Sequence, residues 1–114
     1  MIKKDKFLEI NLLENKLIKS ETNTLVIFYA DWCPFCISNL PIIKETILEQ
    51  KIKNYFFINI SDESLDVWLE DGNTKWAVKL VPTIRVYKKM KIVFNHENVI
   101  EKNELVKVIK KYCS

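Results

Sequence analysis

The sequence is poor in glycine: Gly72 is the only one in 114 residues. It also lacks any run of the roughly 18 apolar residues that a membrane-spanning helix needs. Its net charge is only +3, and its lysines are mixed with glutamates in segments such as EKNELVKVIKK. A nucleic-acid interface would instead need a clustered basic patch with interleaved aromatic residues. We therefore expect neither a nucleic-acid partner nor a membrane partner.

The N-terminus gives no sign of a targeting segment. Acidic residues interrupt the segment MIKKDKFLEINLLENK, so it has no continuous apolar stretch, and no small-residue cleavage site follows. This pattern favours a cytoplasmic protein. The length allows one domain, which we expect over residues 1–114, and a hydrophobic fraction of 48% is enough for a packed core.

The order of apolar patterns predicts an α/β fold. The runs TLVIFYA and NYFFINI are rich in β-branched and aromatic residues, which is typical of buried strands. KFLEI predicts an edge strand, and TIRVY and KIVF predict two more strands, joined by a short turn at residues 88–91. The result is a mixed central sheet of about five strands with helices on both faces.

The helices follow from apolar residues at helical spacing. LLENKLIKS predicts one helix, residues 62–80 predict another that is broken at Gly72, and KNELVKVIKKY predicts the last. A helix from Pro34 to about Gln50 suits a proline at its first position, while Pro41 should kink it. Its predicted buried face contains Ile37, Leu40, Ile43, Ile47 and Leu48. The predicted inward face of the last helix contains Leu105, Val108, Ile109 and Tyr112.

Two of the three cysteines, Cys33 and Cys36, stand close together in the segment YADWCPFCISNLP. The pattern places Cys33 just after a buried strand, at the start of a helix, and Cys36 one turn inside that helix. Free N–H groups and the partial positive charge at a helix N-terminus stabilise a thiolate. The spacing then supplies an attacking thiol and a resolving thiol, the two parts that disulfide exchange requires.

The spacing alone leaves two other interpretations of the pair open. Cys33 and Cys36 could be two inert core residues, or they could be half of a metal site. A zinc site needs four ligands, and the other candidates are Cys113 and the single histidine, His96. A metal or iron–sulfur cluster shared between two chains is the remaining variant. We expect no metal, and we expect Cys113 to be a free thiol.

The segments TLVIFYADWCPFCISNLPIIKE and LVPTIRVYK resemble those of the thioredoxin family. An apolar strand ends in aromatic-Ala-acid-Trp-Cys, and Pro41 follows the second cysteine by five residues, as in that family. Val81-Pro82-Thr83 resembles its cis-proline loop. The resemblance covers nearly the whole chain and implies a thioredoxin fold.

The resemblance also implies an activity, that of a protein-disulfide oxidoreductase in which Cys33 attacks the substrate and Cys36 resolves the mixed disulfide. The partners would be disulfide-containing proteins and a dithiol donor such as thioredoxin reductase. No prosthetic group is implied, and we expect a monomer. The residues expected at the substrate-binding surface are Trp32, Pro34, Phe35, Trp76, Val81 and Pro82.

Several positions depart from the family pattern. Ile27 and Phe57 stand where thioredoxins carry a buried aspartate and its lysine partner. Water, Asp31 or the substrate would then have to carry the proton of the resolving thiol. The dipeptide Pro34-Phe35 makes the motif similar to that of glutaredoxins, so we expect a couple more oxidising than thioredoxin's roughly −270 mV.

These departures keep other functions open. A binding or adaptor module with an idle redox site is one alternative, and a glutaredoxin-like or oxidant role is another. Asn98 replaces the family's glycine in the later loop of the substrate groove. A side chain there would narrow the groove and alter the choice of partner.

Overall fold

The sheet is built around the apolar run that follows Asn23. A computed structural model of the protein describes residue 19 and residues 21–59, 80–89 and 91–113. Its four strands are β1 (Thr24–Tyr29), β2 (Tyr55–Asn59), β3 (Thr83–Lys88) and β4 (Lys91–Glu97), arranged in the order β2-β1-β3-β4. β1 is parallel to β2 and antiparallel to β3, which is antiparallel to β4. The predicted mixed sheet is therefore confirmed in the described residues.

Each face of the sheet has its own hydrophobic cluster, because successive strand residues point to opposite faces. One cluster combines Leu25 and Ile27 of β1 with residues from helix α1 (Pro34–Glu49) and helix α2 (Lys102–Val108). The other combines Val26 and Phe28 with both cysteines of the pair. β1 is thus buried on both faces, as its sequence predicts, and the cysteines lie at the edge of the second cluster.

Helix α1 begins at Pro34, as predicted, and continues through Pro41. Its buried face differs from the predicted one, because Ile37 is 64% exposed and Leu48 is 73% exposed. Each residue advances about 100° around a helix, so residues next to Cys36 and Ile47 are turned away from the sheet. The prediction was wrong for Ile37 and Leu48. The residues actually buried on α1 are Cys36, Asn39, Ile43, Thr46 and Ile47.

The C-terminal helix meets its prediction. Leu105, Val108 and Ile109 are buried, and Tyr112 is half-buried. A π-helical turn over Ile109–Cys113 continues α2. Because this segment packs on the same cluster as α1, the two described helices cover one face of the sheet.

Two features of the sheet add detail to the sequence prediction: the partial burial of β2 and the turn between β3 and β4. Ile58 is the one fully buried residue of β2, and its neighbours are half-buried, because β2 lies at the edge of the four described strands. Lys89, in the turn between β3 and β4, has φ 55°, in the left-handed region. This value explains how a hairpin turn forms in a segment without glycine.

Other predicted elements fall outside the described residues, apart from residue 19 and residue 80 at their ends. They are the strand KFLEI, the helix LLENKLIKS and the helix in two pieces over residues 62–80. Within the described ranges, no helix has both the length and the apolar character to cross a membrane.

Candidate active site

Cys33 lies where strand β1 passes into helix α1. A short turn follows Tyr29, in which the Ala30 carbonyl oxygen accepts a hydrogen bond from the Cys33 N–H at 3.2 Å. Cys33 is the N-cap of α1, with φ −95° and ψ 109°. Its Sγ accepts a hydrogen bond from the Cys36 N–H, with 3.2 Å between sulfur and nitrogen. The sulfur therefore occupies the place of a capping oxygen, where a donated hydrogen bond and the helix dipole both favour negative charge.

Cys36 has a contrasting environment. Its side chain is fully buried, and both thiols of the pair are free. Burial, and to a smaller extent the hydrogen bond with the Cys33 side chain, raise the pKa of Cys36 to about 12. Cys36 therefore holds its proton at neutral pH. The pair thus combines a sulfur capped by a donor with a protonated, buried thiol.

The loop before β3 lies against Cys33. The peptide bond between Val81 and Pro82 is cis. The Cys33 thiol donates to the carbonyl oxygen of Val81 at 3.5 Å. Thr83 Oγ1 donates to the Leu80 carbonyl oxygen at 2.7 Å, which fixes the other side of the loop. Fold topology thus brings Val81 to Cys33 across 48 positions of sequence.

Exposed apolar residues flank Cys33 along the chain. Cys33 itself is only 3% exposed, whereas Trp32 is 52% and Phe35 is 61% exposed. Pro34 is also exposed. Large exposed apolar side chains next to a nearly buried sulfur are suited to docking a protein chain. Trp76, the remaining residue predicted for this surface, lies outside the described residues.

An apolar pair occupies the two positions where the family carries aspartate and lysine. Ile27 and Phe57 are direct partners in the parallel pairing of β1 with β2. Ile27 is fully buried, and Phe57 is half-buried with Lys44 Nζ 5.6 Å from its ring centre. Neither side chain can accept a proton. A proton leaving Cys36 would therefore have to pass to another group.

Asp31 is an exposed carboxylate in the turn that leads to Cys33. Its Oδ1 accepts a hydrogen bond from Asn59 Nδ2 at 3.1 Å, across the ends of β1 and β2. This contact orients Asp31 while leaving it open to solvent.

Asn98 occupies the position of the family's groove glycine, and its backbone shows why glycine is suited there. Its φ is 86°, in the left-handed region. Asparagine tolerates that region better than most residues. The Asn98 N–H donates to the Pro82 carbonyl oxygen at 2.8 Å, so this loop lies directly against the cis-proline loop.

Cys113 lies away from the pair, in the C-terminal turn. It is a half-buried free thiol, and burial raises its pKa to about 11. Among the residues that the structure describes, no three His, Cys, Asp or Glu side chains form a group able to hold a metal ion. His96 is partly exposed, with Nδ1 at 3.5 Å from Glu104 Oε2.

Sequence reasoning missed Asn39, a polar residue on the buried face of α1. It is 1% exposed and bonds to the backbone of Ile100 through both ends of its amide. A signal was present: Asn39 stands three residues after Cys36 and four before Ile43, within the apolar stripe. A polar residue at such a position indicates a buried hydrogen-bonding role.

The fold and the site together define a class of protein. A Cys-x-x-Cys pair caps the helix after a central parallel strand, and an X-Pro loop faces its first sulfur. This arrangement defines a thiol–disulfide oxidoreductase with the thioredoxin fold.

Comparison with known proteins gives the family. The family model described as Thioredoxin matches residues 6–111. The chain is 31% identical over 98 residues to a thioredoxin of Rickettsia bellii (strain RML369-C), which covers 84% of this chain and 87% of that protein. It is 30% identical over 101 residues to the M-type chloroplastic thioredoxin of Chlamydomonas reinhardtii, covering 89% and 69%. The chain therefore belongs to the thioredoxin family.

Solved structures show the same fold. Thioredoxin f2 of Chlamydomonas reinhardtii superposes with a TM-score of 0.71 at 20% identity, covering 89% of each chain. Thioredoxin NaTrxh of Nicotiana alata also gives 0.71, at 24% identity, covering 91% of this chain and 84% of its own. Family members of this kind are protein-disulfide oxidoreductases, and this chain carries their dithiol.

Proposed function

We propose that the protein exchanges its Cys33–Cys36 dithiol with disulfides of protein substrates, through a couple more oxidising than that of typical thioredoxins. The Cys33 thiolate attacks one sulfur of the substrate disulfide, whose S–S bond breaks as the mixed disulfide forms. The departing substrate sulfur takes up a proton. Cys36 then loses its proton and attacks Cys33 Sγ, which releases the second substrate thiol. Two electrons pass to the substrate, and Cys33 and Cys36 become a disulfide.

The observation that carries this proposal is the contrast between the two sulfurs. Cys33 Sγ receives the Cys36 N–H at 3.2 Å at a helix N-terminus, an environment that stabilises an attacking thiolate. The pKa of Cys36 is about 12 because of burial, so its proton stays in place until a mixed disulfide has formed. The roles of attacking and resolving thiol follow from this difference.

Docking of the substrate chain is the second part of the proposal. The exposed rings of Trp32 and Phe35 and the adjacent Pro34 offer apolar contact area beside Cys33. Val81 and Pro82 present backbone to an extended substrate segment. The sequence also predicts Trp76 as a contact for the substrate chain.

The reduction potential of the Cys33–Cys36 couple is proposed from the surroundings of Cys33 Sγ. A couple becomes more oxidising when its reduced form is stabilised relative to its disulfide. Pro34 and Phe35 form the first turn beside Cys33, and that turn delivers the Cys36 N–H to its sulfur. We place the potential above the roughly −270 mV of thioredoxin, toward the glutaredoxin range of about −200 to −230 mV. A dithiol donor such as thioredoxin reductase would return the protein to its reduced form.

A second candidate is a binding module with an idle dithiol. The apolar pair Ile27 and Phe57 favours it, because the positions where the family holds its proton acceptor and lysine carry no charge. Insulin reduction with dithiothreitol separates the two functions. Turnover that disappears in both Cys33→Ser and Cys36→Ser, but survives in the matched control Cys113→Ser, supports the oxidoreductase. Wild-type turnover no higher than that of Cys33→Ser would support the binding module.

A further inference from the structure

Asn39 is a buried polar residue that thiol exchange itself does not use. It lies on α1, three residues beyond Cys36, and is 1% exposed. Its Nδ2 donates to the Ile100 carbonyl oxygen at 3.0 Å, and its Oδ1 accepts from the Ile100 N–H at 3.0 Å. One side chain thus satisfies both backbone groups of a residue that is itself buried. Buried backbone groups left without such partners are costly, so the contact fixes Ile100 on the helix.

Ile100 ends a short loop that reaches the cis-proline loop. Asn98, two residues earlier, donates its N–H to the Pro82 carbonyl oxygen at 2.8 Å. Its own Oδ1 accepts from the Val99 N–H at 2.8 Å. Ring nitrogen Nε2 of His96 lies 3.0 Å from the Val99 carbonyl oxygen. The loop over residues 98–100 is therefore fixed at Pro82 on one side and at Asn39 on the other.

These contacts form a closed ring that passes through Cys33. The ring runs from α1 through Asn39 to Ile100, through Asn98 to Pro82, and through Val81 back to Cys33 Sγ. Asn98 and Val99 are exposed at its surface, Val99 by 40%, whereas Ile100 is buried. A displacement of Ile100 would therefore move an exposed surface that adjoins the cis-proline loop.

We propose that Asn39 is a positioning residue that holds the 98–100 loop against the cis-proline loop and so shapes the groove for protein substrates. This inference rests on the proposed function, in which substrate docks beside Cys33. Asn39 acts through Ile100 and not on a reacting sulfur. The Cys36 N–H bond to Cys33 Sγ lies within the first turn of α1 and does not depend on the Asn39 contact. Loss of Asn39 should therefore weaken recognition of a protein disulfide more than reaction with a small one.

The test compares two disulfides in a Cys113→Ser background. Insulin reduction is followed with dithiothreitol as reductant. Reaction with 5,5′-dithiobis(2-nitrobenzoic acid) is followed in a single turnover of the pre-reduced protein after dithiothreitol has been removed, because dithiothreitol reduces that compound directly. Insulin needs the groove, whereas 5,5′-dithiobis(2-nitrobenzoic acid) is small enough to react without it. Asn39→Asp keeps the acceptor for Ile100 but removes the donor, and Asn39→Leu removes both. The matched control is Asn54→Asp, since Asn54 also bridges backbone and side chains but at the opposite end of β1, next to Thr24.

The expected result for Asn39→Asp is an insulin KM raised about three- to tenfold, the effect of about one hydrogen bond. Asn39→Leu loses both hydrogen bonds and should raise the insulin KM at least as much. The rate with the small disulfide should stay within about twofold, and Asn54→Asp should leave the insulin KM unchanged. An unchanged insulin KM in the Asn39 variants, or equal slowing of both reactions, would overturn the inference while leaving the proposed function intact. A wild-type protein that reduces neither disulfide would overturn the proposed function, and this inference with it.

Amide hydrogen exchange in the wild-type protein gives a second test that needs no variant. The amide of Asn98 donates to Pro82 and the amide of Ile100 donates to Asn39, and these two hydrogen bonds hold the two ends of the loop. If the ends open together, the two amides should exchange with the same protection. Exchange of Asn98 that is fast and independent of Ile100 would contradict the proposed coupling.

Discussion

The reactivity of Cys36 offers a sharp quantitative prediction. Burial raises its pKa from 9.0 to about 12. At pH 8 a thiol of pKa 9.0 is about 10% ionised, whereas one of pKa about 12 is ionised to about one part in 10,000. Because the thiolate is the species that reacts with iodoacetamide, Cys36 should be alkylated about 1000-fold more slowly than an ordinary cysteine. The rate should rise about tenfold for each pH unit above 8.

The assay uses a Cys33→Ser, Cys113→Ser variant, in which Cys36 is the single thiol. Replacing Cys33 removes two smaller causes of the raised pKa, its hydrogen bond and its charge, but leaves burial, the largest cause, in place. We therefore expect at least ~100-fold suppression at pH 8, measured by mass spectrometry against the same variant in guanidinium. Alkylation of the native variant within about tenfold of the denatured rate would refute the argument that burial keeps Cys36 protonated.

Three further predictions concern neighbouring features. Asn98→Gly should change the free energy of unfolding by less than about 1 kcal/mol, because glycine adopts φ 86° freely. The same substitution should lower the insulin KM by opening the groove. An unchanged insulin KM would count against a role for the Asn98 side chain. Ile27→Asp should destabilise the fold by about 3 kcal/mol or more, measured by urea unfolding, because Ile27 is fully buried. It should nevertheless raise the insulin kcat at pH 7, because the aspartate supplies a proton acceptor. A folded variant with no faster turnover would contradict the role assigned to the missing acid. The Cys36 proton should leave the free energy of unfolding unchanged below about pH 9. Between pH 9 and 12 the free energy of unfolding should fall, because the unfolded chain loses that proton first. In denaturant titrations this fall in stability should be smaller in Cys36→Ala.

The parts of the fold that the sequence predicted depend on strong local patterns. The run TLVIFYA has no polar interruption, so its assignment as a strand buried on both faces did not depend on knowing its neighbours. Pro34 and the following periodicity located the start of α1, and with it the position of Cys33 at the helix N-terminus. Because both signals are local, the dithiol could be placed before any tertiary contact was known.

The errors and omissions have a common physical origin. Ile37 and Leu48 are apolar, but burial depends on the angle at which α1 meets the sheet, and that angle is set by tertiary packing. Asn39 was missed because its partner, Ile100, lies 61 positions away along the chain. The 3.5 Å contact between Cys33 Sγ and the Val81 carbonyl oxygen is likewise long-range. Such contacts follow from topology, which a single sequence does not specify residue by residue.

The most direct test of the account is the equilibrium of the Cys33–Cys36 pair in defined glutathione buffers, in a Cys113→Ser background. Alkylation of free thiols and mass spectrometry would report the oxidised fraction at each buffer potential. The account predicts one reversible two-electron transition with a midpoint above about −270 mV, toward −200 to −230 mV. A midpoint at or below about −270 mV would contradict the oxidising character, and the absence of any reversible transition would contradict the oxidoreductase itself.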